Sequence, residues 1–410
     1  MRAKIAGPLA DTAAGAIAEQ VLRSCVHCGM CNATCPTYQL TGDELDGPRG
    51  RIYLMKQVLE GEPAGSLTQT HLDRCLSCRA CETTCPSGVD YHALYDVARK
   101  VVNEAAPRPW RQRLTRWAIR FAFVDPRRLS ILMSLARRVR FAAPPTLRGK
   151  LTAPRPPGPA PTPRHARRMS LLGGCVQAAA APAINAANRR VFDSVGIDLL
   201  ESPAVGCCGA MSFHTGAEEE GRAFARRNID AWCAELDAGG EAIVANASGC
   251  AAFIRDYADI LADDPAYAAR ARRVAQAVRD PVEILKANPP AAVRPPRQAR
   301  VAFHPPCTLR NGPALAEAPA ELLANLGFEP QPIRDAHLCC GSAGAYSLLQ
   351  PKIASELRRA KIEALTGSEP QEILTANVGC MLHLAEASPV PVRHWIEAVD
   401  EVVSAAAPPA

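Results

Sequence analysis

The chain has 410 residues, of which 48% are hydrophobic and 21% charged, and a formal net charge of +6. That length exceeds one ordinary core and points to two or three domains, while so modest a charge does not by itself call for nucleic acid or a membrane surface. Proline (36) and cysteine (17, an odd number) are both over-used.

The opening residues, MRAKIAGPLADTAAG, contain no apolar export segment. The thiols are therefore expected in a reducing compartment, the cytoplasm, and to serve metal or redox chemistry rather than a disulfide framework. No run approaches the ~18 apolar residues of a membrane span. Only Cys233, alone in a helical pattern, reads as a buried small hydrophobe.

Residues 1–105 hold two copies of one motif. CVHCGMCNATCP places Cys25, Cys28, Cys31 and Cys35 before a proline, and CLSCRACETTCP repeats the spacing at Cys75, Cys78, Cys81 and Cys85. C-x2-C-x2-C-x3-C-P is the bacterial ferredoxin run, in which three close thiolates hold one cubane and the fourth is carried to the other cluster. Applied here, Cys25, Cys28, Cys31 and Cys85 hold one [4Fe–4S] cluster, and Cys75, Cys78, Cys81 and Cys35 a second. Structural zinc sites space their thiols in separated pairs and fit this pattern poorly. Between the motifs, Ile52, Met55, Val58 and Leu59 recur at helical intervals in GPRGRIYLMKQVLEG, so a helix is expected to cover one side of the clusters. Arg49 and Arg51 at its start either balance cluster charge or form a solvated helix end.

Residues 106–167 form a basic helical segment and a linker. From 108 to 150 there are twelve Arg or Lys against the single acid Asp125, and TAPRPPGPAPTPR (152–164) reads as a semi-rigid Pro-rich spacer. Trp110, Trp117, Phe121 and Phe123 lie among the arginines. Such a helix can lie in an anionic membrane interface. A bridge between domains, its arginines solvated or facing an acidic partner, is the favoured reading.

Residues 168–290 and 298–402 are two copies of an α/β unit. The first carries Cys175, the pair Cys207 and Cys208 followed by glycine, and Cys250; the second carries Cys307, Cys339, Cys340 and Cys380. The step from first cysteine to pair is 32 in both copies, and from pair to last cysteine 42 and 40. Cysteines so placed are expected in loops after strands, where sites in α/β sheets collect. The fold class is thus multidomain: an α-helical ferredoxin domain with two [4Fe–4S] clusters plus duplicated α/β cysteine-rich (CCG) units.

TYQLTGDELDGPRGRIYL, HLDRCLSCRACETTCPSGVDYH, ASGCAAF, HLCCGSAG and VRHWIE together resemble the iron–sulfur subunit of bacterial glycolate oxidase (glycolate dehydrogenase). The resemblance spans nearly the whole chain except the basic segment and linker. The ferredoxin part alone is shared with the small subunit of anaerobic glycerol-3-phosphate dehydrogenase and with lactate-utilisation proteins. The resemblance implies an oxidoreductase subunit that takes electrons from an FAD-containing flavoprotein oxidising glycolate to glyoxylate. It would pass them towards a quinone or other acceptor, with peripheral contact to the cytoplasmic face of the inner membrane left open. The rivals are a subunit serving another 2-hydroxy acid or glycerol 3-phosphate, and a thiol enzyme like heterodisulfide reductase. The residues agree in one negative: no dinucleotide fingerprint, P-loop, serine elbow or H-E-x-x-H is present. No residue is assigned to substrate catalysis, and no nucleic-acid partner is expected.

The Cys-Cys-Gly units resemble the repeat of heterodisulfide reductase catalytic subunits, where the repeat ends in C-x-x-C and five cysteines can bind a noncubane cluster. Both copies depart from it: Cys250 is followed by Ala251, Ala252 and Phe253, and Cys380 by Met381, Leu382 and His383. One or two further iron–sulfur centres, a structural or partner-facing cysteine set, and thiol redox chemistry all remain open. His383, at the lost position, and also His304 and His337 make the second copy the better candidate. His27, His71, His92 and His394 read as hydrogen-bonded structural residues.

Overall fold

The structure is a computed structural model that describes residues 3–138, 154–291 and 300–406. The end of the basic segment (139–150) and the start of the Pro-rich stretch lie outside the described residues.

The N-terminal part is helical. Helix α1 (Ala13–Ser24) starts where the Thr12 hydroxyl accepts from the Gly15 N–H, and it buries Ala18, Val21 and Leu22. Helix α2 (Pro36–Thr41) follows Cys35 directly. Helix α3 (Pro48–Leu59) buries Ile52, Met55, Val58 and Leu59, the stripe legible in the sequence. Helix α4 (Ser66–Asp73) leads to the second motif, and α5 (Tyr91–Ala105) packs on α1 and α3. These apolar faces form one core beneath the cysteine loops, with Cys25, Cys75, Cys81 and Cys85 at its edge.

Helices α6 (Trp110–Phe123) and α7 (Pro126–Arg138) come next. They do bridge: Arg108 and Arg116 both reach Asp73 (2.5 and 3.0 Å), Arg120 reaches Glu220 (3.2 Å), and α7 packs on the helix that opens at Cys175.

Each cysteine-rich unit is a four-stranded parallel sheet of one design. Strands β1 (Arg167–Leu171), β2 (Ile197–Leu200), β3 (Ile243–Val244) and β4 (Val278–Arg279) lie in the order β2-β1-β3-β4. Strands β5 (Arg300–His304), β6 (Glu329–Pro330), β7 (Glu372–Thr375) and β8 (Val392–His394) lie as β6-β5-β7-β8. In this order the chain leaves the two central strands towards opposite sides, which opens a crevice at their carboxyl ends. Cys175 and Cys250 follow β1 and β3, Cys307 and Cys380 follow β5 and β7, and each Cys pair follows the neighbouring edge strand.

The repeat extends further than the cysteines suggest. VRDPVEI (278–284) and VRHWIEA (392–398) are the same strand-to-helix corner, and in both the glutamate accepts the cap N–H: Glu283 from Asp280 (2.7 Å), Glu397 from His394 (3.1 Å). The helices that follow cross over. The one at Trp395–Ala406 packs on the first unit's helix Pro182–Ser194, and the one at Pro281–Ala287 on the second unit's helix Ala318–Asn325. One apolar core therefore runs through both units, from Met169 and Ile184 to Val301, Leu374 and Trp395. No described helix is long and apolar enough to cross a membrane.

Candidate functional site: crossed cysteine sets

None of the seventeen cysteines forms a disulfide. In both N-terminal motifs the loop turns by placing the same two positions in the left-handed region. These are His27 (φ 60°) and Gly29 (φ 84°) in the first, and Ser77 (φ 50°) and Arg79 (φ 59°) in the second. Side-chain-bearing residues adopt this conformation at a cost that a bound group can offset. The turns bring successive thiols to one side. A Cβ at Gly29 would also lie 2.5 Å from the Arg49 guanidinium, the movable end of a long side chain.

The thiols fall into two sets that cross between motifs. One cavity is lined by Cys25, Cys28, Cys31 and Cys85. A second is lined by Cys35, Cys75, Cys78 and Cys81. Cys81 borders both. The electrostatics follow the same partition. Burial, then neighbouring thiols including Cys85, pushes Cys31 up to about 11, and Cys78 and Cys81 rise well above the ordinary thiol value from burial and from thiols that include Cys35. Four thiols around one cavity repel as thiolates unless a cationic centre lies among them, so the donor sets fit iron–sulfur clusters.

The sets differ in surroundings. Cys28 is exposed, flanked by exposed Val26 and Met30, so the first set opens at the surface. The second has no exposed cysteine and is richly hydrogen-bonded. Cys35 lies 3.3 Å from the Thr37 hydroxyl and 4.0 Å from Arg51 Nη1, and Cys75 accepts from Ser77 N–H (3.4 Å) and the Tyr91 hydroxyl (3.7 Å). Arg51 is no solvated helix end: it is 1% exposed, and its Nε donates to the His71 carbonyl at 2.8 Å. Behind it the fully buried Asp46 accepts from Arg74 (2.8 Å) and pairs with His71 (2.7 Å). By contrast Arg49 pairs with Glu44 at 2.6 Å at the rim of the first cavity.

In each cysteine-rich unit the thiols form a chain of contacts, first cysteine to pair to last. Cys175 and Cys207 are 3.5 Å apart, Cys207 meets Cys208, and Cys208 meets Cys250. Cys307, Cys339, Cys340 and Cys380 repeat the order. The glycine after each pair has a mechanical reason. Gly209 (φ 94°) and Gly341 (φ 88°) are left-handed, and a Cβ would lie 2.7 Å from a helix carbonyl, of Gly221 or Ala354. Each glycine N–H also donates to the first thiol of its pair at 3.4 Å.

The histidines sort differently from the sequence expectation. His383 does not join the cysteines; its Nε2 lies 3.2 Å from the Ala354 carbonyl, because its place on the helix turns it away from the sheet. His337 is half-buried in the loop before Cys339. The imidazole among the thiols is His304, whose ring forms a group with Cys340 and Cys380 in which all ligand atoms lie within 4.8 Å of one another. The cue was positional: His304 stands three residues before Cys307, where the first copy has Leu172. His394 is structural, donating from Nε2 to the Asn246 carbonyl (2.9 Å) and accepting from Ile396 N–H (3.4 Å).

The N-terminal part docks on both units. Arg79 pairs with Asp256 (2.5 Å), and Arg99 donates to the carbonyls of Phe213 (2.9 Å) and His214 (3.1 Å). On the second unit, Asn311 donates to the Cys78 carbonyl (2.7 Å) and the Tyr346 hydroxyl to the Arg74 carbonyl (3.0 Å). Leu76 and Cys78 pack in one cluster with Cys307, Cys339 and Tyr346.

A helical part with two crossed four-thiol sets, joined to a duplicated cysteine-rich α/β body, defines an iron–sulfur electron-transfer protein. Residues 21–89 match the 4Fe-4S dicluster domain family, and 170–255 and 301–385 each match the cysteine-rich domain family. The chain is 46% identical to the glycolate oxidase iron-sulfur subunit of Escherichia coli (strain K12), over 98% of this chain and 99% of that one. It is 31% identical to a probable glycolate oxidase iron-sulfur subunit of Bacillus subtilis (strain 168), over 89% of each. Lactate utilization protein A of Exiguobacterium is 24% identical over 58% of this chain. The chain belongs to the glycolate oxidase iron-sulfur subunit family.

Proposed function

We propose that Cys25, Cys28, Cys31 and Cys85 hold one [4Fe–4S] cluster and Cys35, Cys75, Cys78 and Cys81 the other, and that the chain carries electrons from an FAD-containing partner oxidising glycolate to glyoxylate. The observation that supports this best is the crossing of the thiol sets: one has an exposed thiol at Cys28, the other has none and adjoins the second cysteine-rich unit. Bound there, the clusters supply one-electron transfer at each site. The chain's residues set the conditions. Val26 and Met30 offer a partner an apolar landing beside Cys28, while Arg51, Thr37 and Tyr91 stabilise negative charge on the sulfurs of the second set.

The test is the complex purified anaerobically with its flavoprotein and mixed with glycolate. Reduced-cluster EPR signals are expected with glycolate and not with glycerol 3-phosphate. The opposite preference would reassign the substrate, and signals produced by the isolated chain with glycolate would place oxidation on this polypeptide.

A second reading concerns the acceptor. Trp110, Leu114, Trp117 and Phe121 form an exposed stripe on α6, Ile131, Leu132 and Leu135 continue it on α7, and Arg111, Arg113, Arg127 and Arg138 are exposed beside them. Apolar rings flanked by guanidinium groups suit the headgroup layer of an anionic bilayer, where a quinone is available, on the cytoplasmic face. Sedimentation with anionic vesicles, weakened by a Trp110→Ser, Trp117→Ser double change, is expected; undiminished binding would remove this surface as the attachment.

A further inference from the structure

The second cysteine-rich unit offers more than four thiols. His304, the last residue of β5, is 1% exposed, and neither of its ring nitrogens has a hydrogen-bond partner. A polar group left unpaired in the interior costs about 1–3 kcal/mol, so an imidazole retained there calls for an occupant. The ring shares its group with the Cys340 and Cys380 thiols, and Cys339 and Cys307 continue the chain of sulfurs.

Two cations face this set. Lys361, 3% exposed, donates from its ammonium to the Asp335 carbonyl (2.8 Å) within electrostatic reach of Cys339 and Cys340. The charge of Arg310 reaches His304, and its Nε is buried without a partner. The first unit has neither feature at the matching places. Its sheet register puts Leu172 where His304 stands, since Leu171 pairs with Val244 as Phe303 pairs with Leu374, and Asn228 sits on the helix that corresponds to that of Lys361.

We propose that His304, Cys307, Cys339, Cys340 and Cys380 form the ligand set of a third iron–sulfur centre, the His304 imidazole serving as its one nitrogen donor. Zinc in structural sites takes four ligands, and this set has five donors, four thiols and one imidazole. It also packs against Cys78, the Asn311 amide of the same unit holding the Cys78 carbonyl, so a centre here adjoins the second N-terminal thiol set. An imidazole in place of a thiolate carries one less negative charge and raises the reduction potential of a centre.

The test uses the full chain, prepared anaerobically with 15N-labelled histidine, and reads iron, sulfide and zinc content with pulsed EPR of the reduced protein. The expected result is iron well above the ~8 of two cubanes, with a nitrogen coupling to a reduced centre. Changing His304→Leu, the first unit's residue, abolishes that coupling and the additional iron while the two cubane signals persist. His304→Cys keeps the iron, loses the nitrogen coupling and lowers the potential of that centre alone, which decides the matter should the leucine variant fold poorly. His383→Gln leaves all readouts unchanged. Iron of ~8 without histidine coupling, stoichiometric zinc in place of the additional iron, or a coupling that survives His304→Cys would each overturn the proposal. Missing cubane signals in the unaltered chain would instead overturn the assignment of the N-terminal sets, and the nitrogen coupling would still decide on His304.

Discussion

The two cysteine-rich units share strand order, loop placement, left-handed glycine and sulfur chain, yet they surround those sulfurs differently. In the first, the pair sits beneath neutral groups. The Tyr257 hydroxyl donates to the Cys208 carbonyl (2.6 Å), the Asn228 amide donates to the Cys207 carbonyl (2.9 Å), and Leu172 closes the sheet end. In the second, an unpartnered imidazole and two cations take those surroundings. The shared scaffold brings four thiols together in both copies, and a handful of side chains sets the charge around them.

The equivalence of the scaffolds can be broken directly. Gly209→Ala and Gly341→Ala force an alanine into the left-handed region and set its Cβ 2.7 Å from a helix carbonyl in each unit. Each is expected to lower stability by about 3 kcal/mol, combining backbone strain with overpacking. Denaturant unfolding of the two variants should give nearly equal losses. A glycine that tolerates alanine in one copy only would mean the two Cys-Cys-Gly turns are built differently.

A second contrast lies at the matching corner residues, Asp280 and His394, both buried and both pushed towards the neutral form. Burial raises Asp280 from 3.8 to about 7, and burial lowers His394 from 6.5 to about 4. For Asp280 the folded state holds its proton after the unfolded state has lost it, so its contribution falls as pH rises from ~4 to ~7. For His394 the unfolded state takes up a proton that the folded state refuses, so its contribution is lost as pH falls through 6.5 towards 4. Between ~4 and ~6.5 the two slopes oppose. Asp280→Asn, which keeps the cap oxygen facing Val282 N–H, is expected to gain on the order of 2 kcal/mol at pH 8 and to expose the histidine's slope, stability rising with pH. His394→Gln is expected to expose the opposite slope. Urea midpoints across this range check both, and parallel profiles for the two variants would contradict the assignment.

The ferredoxin motifs were legible because their chemistry is local: seven residues from Cys25 to Cys31 hold three thiols and both left-handed turns. The α/β repeat was legible from the equal step of 32 between first cysteine and pair. Its last corner was not, because the first copy inserts helices Tyr257–Ile260 and Ala268–Ala277. Asp280 therefore falls 30 positions after Cys250, whereas His394 falls 14 after Cys380. His304 was one of several histidines near the second set. What separates it from His383 is that a strand end points into the crevice while the helix turn carries His383 to Ala354, a long-range consequence of packing. The burial of Arg51 depends likewise on Asp46, Thr37 and the His71 carbonyl closing around it.

The smallest contrast concerns how each unit holds the N-terminal part. The first does so with charge, through Arg79 to Asp256 and Arg99 to two carbonyls; the second uses the neutral donors Asn311 and Tyr346. A neutral hydrogen bond is worth about 1 kcal/mol net and is indifferent to salt, whereas a partly exposed ion pair weakens as salt rises. Tyr346→Phe is thus expected to cost about 1 kcal/mol in stability at any ionic strength. Asp256→Asn is expected to cost more at low salt than at high salt, because it leaves Arg79 and His92 without their shared carboxylate. Unfolding midpoints of both variants at low and high sodium chloride separate the two kinds of contact. An equal salt response would mean that Asp256 acts through packing and not through its charge.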